Sequence, residues 1–119
     1  MTKNVQDIRE RTFQFAVRII KLCQHLDQKP GVPRTLSNQL LKAGTSVGAN
    51  VEEAQGGQSR ADFISKNAIA LKEARETHFW LRLLVAAGIL LEADLSGLID
   101  EADQIKRILG SIVVRTRSS

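Results

Sequence analysis

Four polar residues in the middle of the chain are candidates for chemistry, because their spacing places them beside apolar helical stripes. Asn50 borders the apolar stripe of one predicted helix, and Glu53 lies three residues further on. In the next predicted helix, Lys66 and Glu73 share a face with Trp80. Polar groups on an inner face cost stability unless they are paired. We interpret the set as a polar network that fixes register or a subunit contact. The alternative is a cluster that binds a ligand or acts in catalysis.

Glu76 belongs to the same set of candidates. It lies four residues after Lys72, so the two side chains can pair on the surface of one helix. Trp80 follows Glu76 by another four residues, and Phe79 is adjacent to Trp80 in sequence. The chain has no tyrosine and few aromatic residues, so we interpret these two rings as core or interface rather than as a platform for stacked bases.

Patterns for metal binding and catalysis are not found, so we predict a non-enzymatic protein without a cofactor, a metal or a small-molecule substrate. Neither His25 nor His78 has a glutamate three residues before it, as di-iron bundles require. A single cysteine, Cys23, cannot supply a thiolate zinc site, and we interpret it as a packing residue. One enzymatic alternative is a small helical RNase, because Arg18 and His25 lie seven residues apart on one helix face.

Bulk composition bounds the class of protein. A chain of 119 residues is long enough for one domain with one core, which we expect to span 1–119. No segment approaches the ~20 apolar residues that a membrane span needs. The N-terminus has no apolar signal core, and one cysteine suits a reducing compartment, so we predict a cytoplasmic protein. A net charge of +4 permits contact with nucleic acid.

Helical spacing of apolar residues continues through nearly the whole chain and predicts an all-α fold. We place helices at about 5–26, 33–55, 59–87 and 93–114. Ser59 with Asp62 three residues later resembles a capping box, and Gly88 is a typical helix stop. Short connections favour an antiparallel up-down-up-down four-helix bundle. The last helix carries the apolar stripe Leu91, Leu95, Leu98, Ala102, Ile105, Leu109 and Ile112.

Two features predict contact with a second subunit. Phe13, Val17 and Ile20 form a second apolar stripe on the first helix, whose alternative explanation is a wide core face. Gly44 and Gly48 lie on one face of the second helix, where each costs about 1 kcal/mol of helix stability relative to alanine. Another backbone that packs closely against them would explain their presence. We therefore predict an oligomer.

The central segments resemble the four-helix bundle proteins of the 23S rRNA intervening-sequence family, and the resemblance covers most of the chain. The matching segments are Ser46-Val47-x-x-Asn50-Val51-x-Glu53-Ala54, Ser59-x-x-Asp62-Phe63, Lys66, and residues 69–81. The sequence departs from the family pattern at Ala54, where many members carry glycine, and at Phe79, where many carry tyrosine. Neither departure alters the expected fold.

The resemblance implies a small bacterial cytosolic protein whose family has no established biochemical role. Some members are encoded within insertions in large-subunit rRNA genes. A related bundle, the accessory variability protein of diversity-generating retroelements, forms five-fold rings and binds nucleic acid and a reverse transcriptase. By that similarity we expect a homopentamer.

We predict that this protein binds RNA or DNA through phosphate contacts, without sequence preference. The alternative is a protein–protein scaffold with no role in nucleic-acid binding. The placement of charge distinguishes the two: basic residues gathered on one face favour nucleic acid, and an even mixture with acidic residues favours the scaffold.

Overall fold

The computed structural model describes residues 2–57 and 59–118, with side chains from Ile8 onward in the first helix. It contains four helices: α1 (Thr2–Leu26), α2 (Val32–Gln55), α3 (Arg60–Ala86) and α4 (Glu92–Ser118). The described residues form no strand, which confirms the predicted all-α class. None of these helices is long and apolar enough to cross a membrane.

The helices pack in a closed square. The backbone of each helix closely approaches those of its two neighbours, least so between α1 and α4, whereas the diagonal pairs α1–α3 and α2–α4 have no Cα atoms within 8 Å of each other among the described residues. The molecule measures 46 × 23 × 19 Å. A helix of 27 residues is about 40 Å long. Four helices fit within one such length only side by side, and their short connections make successive helices antiparallel. The predicted up-down-up-down four-helix bundle is confirmed.

Both ends of α3 follow the sequence signals. The hydroxyl of Ser59 accepts a hydrogen bond from the backbone N–H of Asp62 (N···O 3.0 Å), so Ser59 is the N-cap. At the other end Gly88 has a φ of +75°, in the left-handed region that favours glycine. The amides of Gly88 and Ile89 donate to carbonyls of the last turn, each at 3.0 Å. This is a Schellman ending, which satisfies carbonyls that would otherwise lack partners.

The last helix is longer than predicted, because α4 continues to Ser118 rather than ending near 114. The Arg60 side chain donates to the carbonyl of Thr116, which ties this end of α4 to the start of α3. Arg115 and Arg117 lie in the last turn, where positive charge favours the helix dipole. The predicted end of this helix near 114 is therefore four residues short.

The apolar stripe of α4 needs two corrections. Leu91 is 70% exposed, because α4 begins only at Glu92 and Leu91 therefore lies in the preceding connection. At the other end Val113 is buried, and Ile112 is only half-buried. A straight helix with 3.6 residues per turn drifts away from a strict seven-residue repeat, so the stripe advances by four residues after Leu109. The rest of the predicted stripe is buried.

Four polar side chains of the described residues are buried in the core, and each donates a hydrogen bond to a backbone carbonyl, within its own helix for three of them and from α2 to α1 for Ser37. They are Thr12, Ser37, Asn67 and Thr77. Asn67, which sequence patterning missed, donates from Nδ2 to the Phe63 carbonyl one turn earlier at 3.0 Å. Among the described residues no buried side-chain nitrogen or oxygen lacks a partner. Since these bonds run to backbone carbonyls, the core holds no extended side-chain network.

Cys23 is a packing residue, in agreement with its sequence interpretation. Its thiol is buried and lies 3.5 Å from the carbonyl of Ser37, while the Ser37 hydroxyl donates to the carbonyl of Cys23 at 3.2 Å. Burial raises the pKa of the Cys23 thiol, partly offset by the hydrogen bond with Ser37. A thiol that resists ionisation is a poor nucleophile.

The two glycines of α2 face α1 of the same chain. A Cβ atom at Gly44 would lie 2.7 Å from the nearest side-chain atom of Ile19, and one at Gly48 would lie 3.1 Å from the carbonyl oxygen of Thr12. The close approach that explains both glycines is therefore within one protomer. Gly44 is buried there, whereas Gly48 is half-buried. Their contact with a second subunit stays a prediction.

Candidate nucleic-acid interface

The polar residues singled out in α2 and α3 separate into smaller groups. Lys66 of α3 and Glu53 of α2 form an ion pair with an N–O distance of 2.8 Å. The hydrogen bond with Glu53 raises the pKa of Lys66. Asn50 instead donates to the carbonyl of Ser46 on its own helix at 2.9 Å. Glu73 is half-buried, and its side chain has no partner among the described residues. The structure thus brings together Glu53 and Lys66, and leaves Asn50 and Glu73 apart from that pair.

A second group joins Glu76, Trp80 and Phe79. The indole Nε1 of Trp80 donates to a carboxylate oxygen of Glu76 at 3.1 Å. The Phe79 ring meets the Trp80 ring edge to face, with centroids 5.3 Å apart and planes at 70°. Glu76 accepts from Trp80 and forms no ion pair with Lys72, contrary to the surface pair allowed by spacing. Trp80 is half-buried, while Phe79 is 50% exposed.

The outer face of α3 carries basic residues without acidic partners. Lys72, Arg75, Phe79 and Arg82 follow one another at spacings of three, four and three, so they share one side of the helix. All four are exposed. Among the described residues, Lys72, Arg75 and Arg82 form no ion pair. Their charges are therefore available to an outside anion.

Neighbouring residues of α4 extend this positive region. Lys106 and Arg107 both pair with Asp103, at 3.1 and 3.0 Å. The hydrogen bond with Lys106 lowers the pKa of Asp103, and Arg107 lowers it further. The pKa of His78, on α3, is lowered by burial first and then by the charge of Lys106, with a smaller effect from Arg82. These influences place His78 within the field of cations from both helices.

We call this surface the α3–α4 basic face. It comprises Lys72, Arg75, Arg82, Lys106, Arg107 and Arg117. Sequence inspection missed it, because acidic residues interleave with basic ones along the chain. In the folded protein several of those acids pair elsewhere: Glu52 with Arg9, Glu53 with Lys66, and Glu101 with Arg11. The sequence signal that could have revealed this face was the helical spacing of Lys72, Arg75 and Arg82 on α3.

The opposite side of the bundle exposes apolar residues beside charged ones. Between α1 and α2 lies a groove of about 330 Å³ that we call the α1–α2 groove. Its lining residues are Arg9, Phe13, Ala16, Thr45, Gly48, Ala49 and Glu52. Phe13 is 62% exposed and Ile20 is 41% exposed, while Val17 is half-buried. The second stripe of α1 is thus largely outside the core of the protomer. Arg9 and Glu52 neutralise each other at the groove through an ion pair of 2.7 Å.

The residues considered for catalysis or metal binding do not form a site. Arg18 and His25 are both exposed on α1, about 10 Å apart along the helix axis, with no contact between them in the described structure. In the part of the chain with described side chains, no group of three or more His, Cys, Asp or Glu residues is arranged to hold a metal ion.

Comparison with known proteins identifies the family. The model for the 23S rRNA-intervening sequence protein family matches residues 5–111. The chain belongs to this family. The chain is also similar to a solved protein from Bacteroides thetaiotaomicron VPI-5482, described as a protein with unknown function from the S23 ribosomal protein family. That crystal structure shares 40% sequence identity and a TM-score of 0.85, covering 92% of this chain and 97% of its own. No curated protein matches the chain.

Proposed function

We propose that this family member is a cytoplasmic, non-enzymatic homo-oligomer that binds RNA or DNA through the α3–α4 basic face without sequence preference. The observation that carries the proposal is the exposed row of Lys72, Arg75 and Arg82, which form no ion pairs among the described residues. Cations that lack a protein partner are free to replace the counterions condensed on a phosphate backbone.

The α1–α2 groove supports the oligomeric part of the proposal. Phe13 and Ile20 expose apolar surface that a second copy of the chain would cover. The groove is neutralised by Arg9 and Glu52, so two copies could approach there without strong repulsion. The resemblance to the five-fold accessory variability protein suggests a pentamer. In a ring, the charges of several basic faces would add to a stronger field than one protomer provides.

The test combines solution mass with binding at two salt concentrations. Light scattering would give the mass of the pure protein, alone and with a labelled RNA duplex. Binding should weaken steeply between about 50 and 200 mM salt, because each phosphate contact releases counterions. The variant Lys72→Gln/Arg75→Gln/Arg82→Gln should weaken binding and lower the slope of log K against log salt by about 2 to 3.

A matched control removes the same charge elsewhere. Lys21, Lys29 and Lys42 are exposed and lie outside the α3–α4 basic face. Changing all three to glutamine should retain more of the binding and of the salt slope than the face variant does. Equal losses in both variants would show that net charge alone matters and would contradict the proposed face. No binding at low salt would favour the protein–protein scaffold, and a monomer would contradict the assembly.

A further inference from the structure

We propose that the nucleic acid on the α3–α4 basic face is single-stranded, with one base stacked on the ring of Phe79. This inference rests on the proposed nucleic-acid binding and names the class of ligand. Phe79 is 50% exposed, although it lies on a helix whose inner stripe is already filled by Thr77, Leu81 and Leu84. The core therefore does not account for the placement of this ring, and its exposure among cations leads us to depart from the sequence interpretation of Phe79 as a core or interface residue.

Phe79 lies between two cations on the same helical face. Arg75 precedes it by four residues and Arg82 follows it by three, which corresponds to about 6 Å and 4.5 Å along the helix axis. Proteins that bind single strands combine this kind of positive surface with aromatic rings on which bases stack. A base on Phe79 would leave the sugar-phosphate chain running past Arg75 and Arg82. The arrangement therefore matches the chemistry of an unpaired nucleotide.

Contacts with Trp80 also hold the Phe79 ring in place. Trp80 packs edge to face against it, and Trp80 is in turn fixed by its hydrogen bond to Glu76. A braced ring loses little conformational freedom when a base stacks on it, so more of the stacking energy contributes to affinity. The Glu76 carboxylate is half-buried and bonded to the indole. The carboxylate keeps its negative charge, but it is held toward the indole and forms no ion pair with Lys72 among the described residues.

Two other occupants fit the surface less well. In a duplex the base faces are already stacked on one another, and the major groove of A-form RNA is too narrow for side chains to read. Phe79 would then gain nothing from its position. A second copy of this chain packed face to face would bring Arg75 and Arg82 against like charges, which is unfavourable. A single strand offers negative phosphates and free base faces together.

The experiment measures binding of labelled twelve-nucleotide oligo(U) and oligo(dT), and of a duplex with the same number of base pairs, at low salt. Phe79→Leu keeps an apolar side chain but removes the aromatic face, whereas Phe79→Tyr retains an aromatic face. Val32→Ala is the control, because Val32 is also an exposed apolar residue (63%) but belongs to neither the α3–α4 basic face nor the α1–α2 groove. We expect Phe79→Leu to weaken single-strand binding by roughly tenfold, with duplex binding unchanged. Phe79→Tyr and Val32→Ala should bind like the unmodified protein.

Trp80 supplies a second readout, since it is the only tryptophan in the chain and contacts Phe79. Its fluorescence should change on addition of single strands and less with the duplex. Equal loss of single-strand and duplex binding in Phe79→Leu, or no loss in either, would overturn the stacking inference while leaving the proposed function intact. A reduced solution mass of Phe79→Leu would overturn it too, by assigning Phe79 to a subunit contact. If the unmodified protein binds none of the three ligands, the proposed function itself fails.

Discussion

The two sides of the bundle differ in how they use their charged and apolar residues. On the α1–α2 side, Arg9 and Glu52 neutralise each other while Phe13 is left exposed. On the α3–α4 side, Arg75 and Arg82 have no acidic partner among the described residues. Both sides derive from sequences in which acidic and basic residues alternate. This difference shows that ion pairs between helices, rather than the composition of the sequence, decide which surface is basic.

The packing of the helices also differs between the two sides of the bundle. The glycines of α2 let that helix approach α1 so closely that Gly44 has no room for a methyl group beside Ile19. On α4, Gly110 has nothing within 4 Å of the position that a Cβ atom would occupy. Gly44 is therefore required, because Ile19 leaves no room for a side chain there. Gly110 has no such neighbour and only lowers the stability of its helix. Substitutions that compare equivalent residues on the two sides separate these roles.

The largest expected effect comes from adding a methyl group at these glycines. Gly44→Ala should lower the free energy of unfolding by about 1–3 kcal/mol, because Ile19 is fully buried and must shift. Gly110→Ala should instead raise it by up to about 1 kcal/mol through better helix propensity. Urea unfolding followed by circular dichroism measures both. A Gly44→Ala protein as stable as Gly110→Ala would contradict the tight packing of α1 on α2.

The next effect concerns the two exposed phenylalanines. Phe13→Ser should weaken self-association about tenfold or more, because a truncated contact at the centre of an interface commonly costs over 1 kcal/mol. Phe79→Ser should leave the solution mass unchanged, since it lies among the cations of α3. Light scattering over a dilution series measures both. The reverse result would exchange the roles that we assign to the two faces.

The sequence predicted local structure well, because local structure depends on neighbours along the chain. Ser59 with Asp62 and the glycine at Gly88 have the expected roles at the ends of α3. The buried Asn67 was missed, because a polar residue carries no apolar signal even when a carbonyl one turn earlier satisfies it. Leu91 was misplaced, because it keeps the apolar spacing of α4 although it precedes the first residue of that helix, Glu92.

The candidate site was less predictable, because it depends on which helices meet. The pairing of Glu53 with Lys66 joins α2 to α3, and the pairing of Glu101 with Arg11 joins α4 to α1. Neither pair follows from spacing within one helix. In the sequence alone, acidic residues are interleaved with basic residues, and no surface stands out as basic. Only the packed bundle shows which cations of α3 lack a partner.

The smallest expected effect is a pH dependence on the basic face. Burial and the charge of Lys106 lower the pKa of His78, with Arg82 acting in the same direction and Asp103 against it. As pH falls below the ordinary value near 6.5, the unfolded chain therefore takes up a proton before the folded protein does, and stability decreases. The loss should stay below about 1 kcal/mol, because His78 is partly solvated. Thermal unfolding between pH 8 and about 5 would measure it.

The affinity for nucleic acid should depend on pH in the opposite sense to stability, through the same residue, His78. Phosphates beside His78 would favour its charged form, so affinity should increase as pH falls through the range in which stability decreases. His78→Gln should reduce both dependences, whereas His25→Gln, at an exposed position on α1, should retain both. If His78→Gln removed the pH dependence of stability but not that of binding, the phosphates would lie away from His78. The α3–α4 basic face would then be confined to the outer row of α3, where Lys72, Arg75 and Arg82 surround Phe79.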